Sequence, residues 1–597
     1  MWISVFKFHF HPLKNFLIKI PPTSTVTVSS RAREFSEDFF ADNGKLMCRF
    51  CDHSINFQTK NTITALIGSK THIRNKDEKK EQQIKKRQPT IQTILNASEI
   101  KKTAVNNLVD AFVTADIPLE KIDKLQNWLR ENCNEGGFIP KSDTLRRDYL
   151  PKLFEDHVNQ LKEYFRGRQV SIIIDETTDS KARSVVNILF SYNGVTKLVY
   201  VDYLGNVNNC TIGQLLIQTL VQWGISFDLP QLIASDSATY MKKCYRDVLK
   251  PLMPQLVHLP CLAHILNLIV EAWVSINYFQ VVHQLLANIK QTFVYSRSRK
   301  VRYISYLQCQ GVSNPKNIPL SNTTRWNTWF RMAFHVYQNL DYIRGFYNKE
   351  GKENSTPIIE KINSAFTDQQ INGRIEIYLT FIQENAQQFV ADLDFFQQEN
   401  KPMFPFIEQR LQQLEARITM GKTMTNVGST MDLVLQKFNS PLTAFCPIFQ
   451  QAYHAAYKKL DHVLQHPARS LFRAVQVFDP RFLSLTTANR DIYSYKIIRE
   501  LANPSTFLIQ EWSIYVNINL NLIEFSELNE FWDKVSLQLP LLEKIARNYI
   551  WYPISSCAVE RSFSAYNKIL DDDRQNLSPE SLRFLTMMYF NNQNSDK

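Results

Sequence analysis

Between residues 170 and 260 the apolar residues abandon helical spacing, and that interruption limits the available folds more than any other feature of the chain. VSIIID (170–175) is an unbroken apolar run ending in a carboxylate, the pattern of a strand buried on both faces. SVVNILFSYNGV (184–195) and TKLVYVDYLGNV (196–207) follow, joined through Asn193-Gly194, a strong hairpin signal. A helical stretch, IGQLLIQTLVQWGI (212–225), leads to QLIASD (231–236), a fourth strand that again ends in aspartate. LVHLP (256–260) reads as a fifth strand, before a helix through CLAHILNLIVEAW. Three adjacent strands, a helix, a strand, a helix and a strand predict a mixed sheet with helical cover. On both sides the helical period returns. Leu108, Val109, Phe112 and Val113 recur at that spacing, as do Leu125, Trp128 and Leu129, until Gly136-Gly137 and Pro140 break the run. Residues 276–535 contain no comparable strand run, and their Gln/Asn-rich stretches, 383–400 especially, read as solvated connections. The fold class expected is α/β plus a large all-α region. Only 15 glycines in 597 residues argue against an all-β body.

Composition narrows the function classes. Hydrophobic residues at 44% and charged residues at 21% exclude a disordered, collagenous or fibrous chain. The formal charge of +12 favours an acidic partner, of which nucleic acid is the commonest. Of nine cysteines only Cys48 and Cys51 lie close together, which is not a disulfide framework and points to a reducing compartment. No window approaches the ~20 uncharged apolar residues of a spanning helix, so no membrane partner is expected. The opening, MWISVFKFHFHPLKNFLIKIPP, is apolar but broken by charges and Pro12. Residues 1–30 therefore read as a disordered leader rather than a secretory signal. Residues 74–92 are nearly free of apolar side chains and read as a linker. Within them, Lys85-Lys86-Arg87 is either a nuclear import signal or part of a solvated connection.

Asp175 and Asp236 each end an apolar strand, the place where open α/β sheets build sites. If the two strands are neighbours, the carboxylates crowd each other unless a cation is shared between them. Hard oxygen ligands suit Mg²⁺ or Mn²⁺. The alternative is that each aspartate only caps the turn that follows it.

SIIIDETTD, IASDSATYMKKCY, HLPCLAHILNLIVEAW, TTRWNTWF and YPISSCAVERSFSAYNKILDDDRQNLSPESLRFLTMMYFN, in that order, resemble the hAT superfamily of cut-and-paste DNA transposases. The resemblance covers residues 165–592, and its most specific part is the C-terminal dimerisation segment. It implies an RNase H-like domain interrupted by a helical insertion, double-stranded DNA as partner, self-association through the C-terminal segment, and a nuclear location. It also places the family's catalytic acids on Asp175, Asp236 and Glu560, which would hold two Mg²⁺ or Mn²⁺ ions. Cys261-x2-His264 matches the element whose histidine shapes the site and holds DNA. Arg325-Trp326 matches the element whose tryptophan stacks on an exposed base, with Trp329 as the packing residue beside it.

LMCRFCDHSINFQTKNTITALIGSKTHIRNK resembles a BED-like C2H2 finger, and residues 34–150 are similar to the CGG triplet repeat-binding protein family. That pattern assigns Zn²⁺ to Cys48, Cys51 and His72, with Leu66 standing where a further ligand is expected and His53 the only nearby substitute. The finger is thus degenerate, with Arg74, Lys76 and the basic residues Lys85, Lys86 and Arg87 left to meet phosphates. The layout expected is a leader (1–30), a finger (31–75), a linker (76–92) and a helical domain (93–166). An RNase H-like part (167–275), a helical insertion (276–535) and a completing dimerisation block (536–597) follow. Two functions fit: a DNA transposase acting through an Asp-Asp-Glu site, or a domesticated, catalytically silent nuclear protein that binds DNA, dimerises and regulates transcription.

Overall fold

The computed structural model describes residues 26–87, 91–132, 139–321, 327–485, 487–570, 574 and 576–593. They divide into two compact units, one ending at Val105 and one beginning at Asn106.

In the first unit Thr27 and Ser30 exchange hydrogen bonds as a capping box and start the helix Val28–Glu34. This unit therefore begins inside the stretch read as leader, and residues 1–25 lie outside the described residues. Three antiparallel strands follow, β1 (Phe39–Asp42), β2 (Lys45–Cys48) and β3 (Ser54–Ile55). Asn43 and Gly44, both at positive φ, close the two-residue turn between β1 and β2. Phe39, Leu46 and Cys48 pack with Ile63 of the helix Lys60–Ile67 into a small core. The next helix runs without a break from Lys70 to Arg87, which corrects the linker expected at 76–92. Lys, Glu, Gln and Arg are good helix formers, and Arg74 pairs with Glu78 one turn on. The helix does without an apolar stripe because its first turn is anchored by the buried His72.

The second unit opens within the helix Ile91–Thr114 and continues with the helices Glu120–Asn132 and Leu150–Phe165. Of the helical pattern at 125–129 only Leu129 is buried, while Trp128 stands 60% exposed. The sheet that follows holds β4 (Val170–Thr178), β5 (Ser184–Tyr192), β6 (Val195–Leu204), β7 (Pro230–Ser235) and β8 (Val257–Pro260). Their order is β6-β5-β4-β7-β8. The β4–β5 and β5–β6 pairs are antiparallel, and the β4–β7 and β7–β8 pairs parallel. Residues 170–174 are buried throughout, as a central strand covered on both faces requires. Asn193 and Gly194 turn the β5–β6 hairpin at φ 47° and 80°. A Cβ on Gly194 would lie 2.8 Å from the Trp551 ring, so turn and packing both require glycine there.

From the helix Leu262–Val274 onward the chain is helical. Trp273, fully buried, is the hub: Phe279, Phe330, Phe381, Phe389 and Tyr453 all meet its ring. The stretch read as a solvated connection at 383–400 is instead mostly the end of a 28-residue helix, Gln369–Phe396. Ile382, Ala386, Phe389, Val390, Leu393 and Phe396 form its buried stripe, and the glutamines that masked this period sit off the stripe.

The helices Cys557–Ile569 and Pro579–Gln593 return to pack on the sheet. Asn591 stands in for a neighbouring strand: its side chain accepts from Leu198 N at 2.7 Å and donates to Leu198 O at 3.0 Å on the edge strand β6. Of Phe563, Leu577, Leu582, Leu585 and Met588, apolar side chains that sequence alone would offer to a second copy, Phe563, Leu582 and Met588 are buried within the same chain, and Leu577 and Leu585 are half-buried against its core. Among the described residues no single helix is long and apolar enough to cross a membrane.

Candidate active site and finger centre

The parallel register pairs Ile173 of β4 with Ala234 of β7. Continued by two residues, it sets Asp175 beside Asp236 on one face, just past the end of β7. Strand β4 does not end at Asp175, as its apolar run suggests, but continues to Thr178 because β5 pairs with it that far. Asp175 accepts from Glu176 N at 2.8 Å and Asp236 from Ala238 N at 3.1 Å.

Glu560 comes from the first turn of the helix Cys557–Ile569, and three contacts lay that helix over the strands. Asn187, the cross-strand partner of Asp175, donates to Ser562 Oγ at 2.7 Å. One turn on, Tyr566 donates to Asp179 at 2.9 Å and meets the Tyr203 hydroxyl at 3.0 Å. At the other end Ser556 N donates to Sγ of the buried Cys261 at 3.4 Å. A residue far along the chain is thus delivered to the two aspartates.

The acids feel one another. Burial, then the Glu560 and Asp236 charges, push the Asp175 carboxyl well above its ordinary range. Burial and Asp236 raise Glu560, opposed by its hydrogen bond with Asp175 and by the charge of His264. The Cys-x2-His histidine therefore belongs to the site. Two neighbours join it that sequence reading passed over. Burial raises Glu176, which accepts a hydrogen bond from Tyr240, and its Oε2 is buried without a hydrogen-bond partner. Burial, then Asp236, Glu176 and Asp175, push the Tyr240 hydroxyl upward. The position of Glu176 directly after Asp175 was the available signal; nothing local marks Tyr240.

Crowded hard oxygens and an orphaned carboxylate oxygen fit a divalent cation site. The oxygens of Asp175, Asp236 and Glu560 do not all approach within 4.8 Å of one another, as the groups of the finger centre do.

The raised carboxyls also set a pH dependence. Asp175 holds its proton more firmly folded than unfolded, where its ordinary value is 3.8. Stability from this group is therefore full at low pH and falls as pH rises from about 4 through the raised value. Asp175→Asn is expected to raise the melting temperature at pH 7 without metal and to change it little at pH 4. A melting temperature at pH 7 below that of the parent would show that the site is not electrostatically crowded.

Arg325 and Trp326 lie outside the described residues. Trp329 is buried against Phe330 and is a packing residue.

In the finger, Cys48, Cys51 and His72 place their ligand atoms within 4.8 Å of one another. His72 Nδ1 lies 3.3 Å from Cys48 Sγ and 3.5 Å from Cys51 Sγ. Its Nε2 is 3.0 Å from Asp38, which also takes the Lys76 ammonium at 2.6 Å. A carboxylate behind a histidine fixes the ring for a metal. Burial works against the charge on Asp38, yet Lys76 and His72 hold its carboxyl below the usual range. Cys48 Sγ accepts from Phe50 N at 3.4 Å and Cys51 N at 3.3 Å, which fixes its position. Two sulfurs and one imidazole fit Zn²⁺ but leave a tetrahedral site one ligand short. His53 is not the substitute: it is exposed, with Nδ1 3.0 Å from Cys51 O. Leu66 packs against the core that contains Cys48. Lys76, expected on phosphate, is turned to Asp38, whereas Arg74 is exposed. Lys85, Lys86 and Arg87 end their helix, and their side chains lie outside the described residues.

These features meet their counterparts among known families. Residues 510–591 match the hAT family C-terminal dimerisation region, and residues 259–359 the ZBED1 RNase-like helical domain. These two stretches are similar to hAT-related proteins. Residues 22–78 and 96–152 match the CGGBP1 N-terminal and helical domains. The CGG triplet repeat-binding protein 1 of Homo sapiens is 35% identical over 162 residues, 25% of this chain and 96% of that protein, and its Mus musculus counterpart matches equally. The chain belongs to this family through its first quarter.

Proposed function

We propose that the chain is a nuclear DNA-binding protein of transposase descent that cuts and joins DNA strands at Asp175, Asp236 and Glu560. The observation that carries this reading is the convergence of the three acids, one from within β4, one just after the adjacent parallel β7 and one from a helix brought back across the chain. The sheet order, three antiparallel strands followed by two parallel ones, supports an RNase H-like domain. Asp175, Asp236 and Glu560 would hold Mg²⁺ or Mn²⁺, which when bound supplies Lewis acidity to the attacking and leaving oxygens at phosphorus. His264 would balance charge beside Glu560. Tyr240 would hold Glu176 in place. The relatives named for CGG-repeat binding share the finger unit, which supports DNA contact through its exposed Arg74.

The matched dimerisation region supports self-association, through a surface other than the buried Leu582 and Met588. Glu511 accepts from the amides of Leu541 and Leu542, seating the helix Pro540–Ile550 beside the helix Thr506–Tyr515. Phe507, Ile514, Leu537 and Leu541 are exposed on these segments, with Leu537 at 98%. Leu537→Glu with Leu541→Glu is expected to halve the mass of a dimer measured by light scattering; an unchanged mass would place the interface elsewhere.

The cleavage reading is tested by incubating the purified chain with a supercoiled plasmid and Mn²⁺. Nicks bearing 3′-hydroxyl ends are expected. Binding without any nicking would favour the second reading, a catalytically silent DNA-binding protein acting in transcription regulation, which the incomplete finger ligand set supports.

A further inference from the structure

From Ala272 to Leu340 the chain carries no aspartate or glutamate: 69 residues with eight lysines and arginines, where the chain-wide 57 acids in 597 would place six or seven. Folding does not ask for this. The helices Gln280–Val294 and Arg297–Cys309 bury Leu285, Leu286, Ile289, Phe293, Tyr303 and Leu307, and their outer faces tolerate either sign of charge. The second helix even opposes its own dipole, with Arg297, Arg299 and Lys300 in its first turn and no acid there. Cations gathered at the positive end of a helix are unfavourable unless an anion meets them.

Part of that charge is satisfied internally. Arg299 and Arg302 reach the buried Glu350 at 3.0 and 2.6 Å, two cations on one carboxylate. Lys290, Arg297 and Lys300 make no ion pair among the described residues. They flank the corner between the two helices, with Arg297 and Lys300 on one face by their i,i+3 spacing. At the corner stands Tyr295, 98% exposed. An aromatic ring held in water among cations is the pairing that nucleic-acid surfaces use, cations on phosphates and the ring against a sugar or base face.

We propose that this corner is a second DNA-binding surface, separate from the finger, in which Lys290, Arg297 and Lys300 contact the phosphodiester backbone and Tyr295 packs beside it. The inference rests on the DNA-binding reading above and adds the place of contact.

The test uses the full chain and a fluorescein-labelled DNA duplex, with affinity measured by anisotropy across a salt series. Arg297→Ala with Lys300→Ala is expected to lower the slope of log affinity against log salt by about 2, and affinity near physiological salt by on the order of ten-fold. Tyr295→Ala should weaken binding at every salt concentration and leave the slope unchanged. A control, Lys361→Ala with Lys458→Ala, removes the same charge from other helices and should change neither. DNA binding with the parent slope in the Arg297/Lys300 variant overturns the proposal while leaving the DNA-binding reading intact. An equal loss in the control, or a loss confined to an RNA duplex, overturns it as well. A parent chain that binds no DNA at low salt refutes the underlying reading and the proposal with it.

Discussion

Asp175→Asn, Asp236→Asn and Glu560→Gln are each expected to reduce Mn²⁺-dependent DNA cleavage by a hundred- to thousand-fold or more, the order found when one preorganised electrostatic group is removed. Each substitution keeps side-chain volume, and at Asp175 and Glu560 it removes a charge that burial and like neighbours already make unfavourable, so the folded chain should survive. That separates this result from ordinary destabilisation: activity falls while the melting temperature holds or rises. Ser562→Ala provides a graded comparison. It deletes the bond that ties the Glu560 helix to Asn187, and a partial loss is expected because the helix stays anchored through Tyr566 and Cys261. Parent-like cleavage by Glu560→Gln would mean that this helix only completes the fold and that another group closes the site, with Glu176 the nearest carboxylate to examine.

The second large effect concerns the finger. Full finger ligand sets hold zinc with ~10–16 kcal/mol, so a fourth ligand contributes about 3 kcal/mol, roughly a hundred-fold in affinity. Leu66 lies against the core that holds Cys48, six positions before His72. Leu66→His is therefore expected to tighten Zn²⁺ binding by about that factor, and Cys48→Ala to abolish it. Substituting Co²⁺ for zinc should give tetrahedral visible bands that strengthen in Leu66→His. Asp38→Asn, which leaves the three ligands in place but frees the His72 ring, should cost about 10–100-fold. Equal zinc affinity for the parent and Leu66→His would show that position 66 does not face the metal. Burial, then Cys48, push the Cys51 thiol upward, so binding must displace a proton and should weaken as pH falls.

Periodicity made the strands legible. VSIIID, the Asn193-Gly194 hairpin, QLIASD and LVHLP appear where their patterns put them, with β4 running three residues past Asp175 and β6 stopping three residues short of Val207. A strand buried on both faces must be apolar at every position, and a two-residue hairpin needs two positive φ angles, so each leaves a local mark. Two helical segments were misread for one reason: composition is a poor proxy for period. Residues 74–92 read as a linker because they are charged, and 383–400 as a loop because they are rich in glutamine, yet both residue types favour helices, and Lys70–Arg87 and Gln369–Phe396 are helical.

The site divides along the same line. Asp175 and Asp236 were recognisable as carboxylates that close apolar runs, a local property, although β4 itself continues past Asp175 to Thr178. Cys48, Cys51 and His72 were recognisable as a candidate ligand group by their resemblance to a known finger, and the structure brings their ligand atoms together. That Asp175 and Asp236 stand side by side depends on β7 joining β4 in parallel, a pairing made through contacts 61 positions apart in sequence. That Asp38 backs His72, that Tyr240 holds Glu176, and that Asn187 and Ser562 bring Glu560 to the aspartates are likewise long-range facts. The buried fates of Phe563, Leu582 and Met588 belong with them, since an apolar side chain reads the same whether its own sheet or a partner covers it. Local geometry and side-chain chemistry determined what each segment is; which segments share a neighbourhood was decided only when the whole chain packed, because burial and hydrogen bonding between distant residues have no local pattern to reveal them.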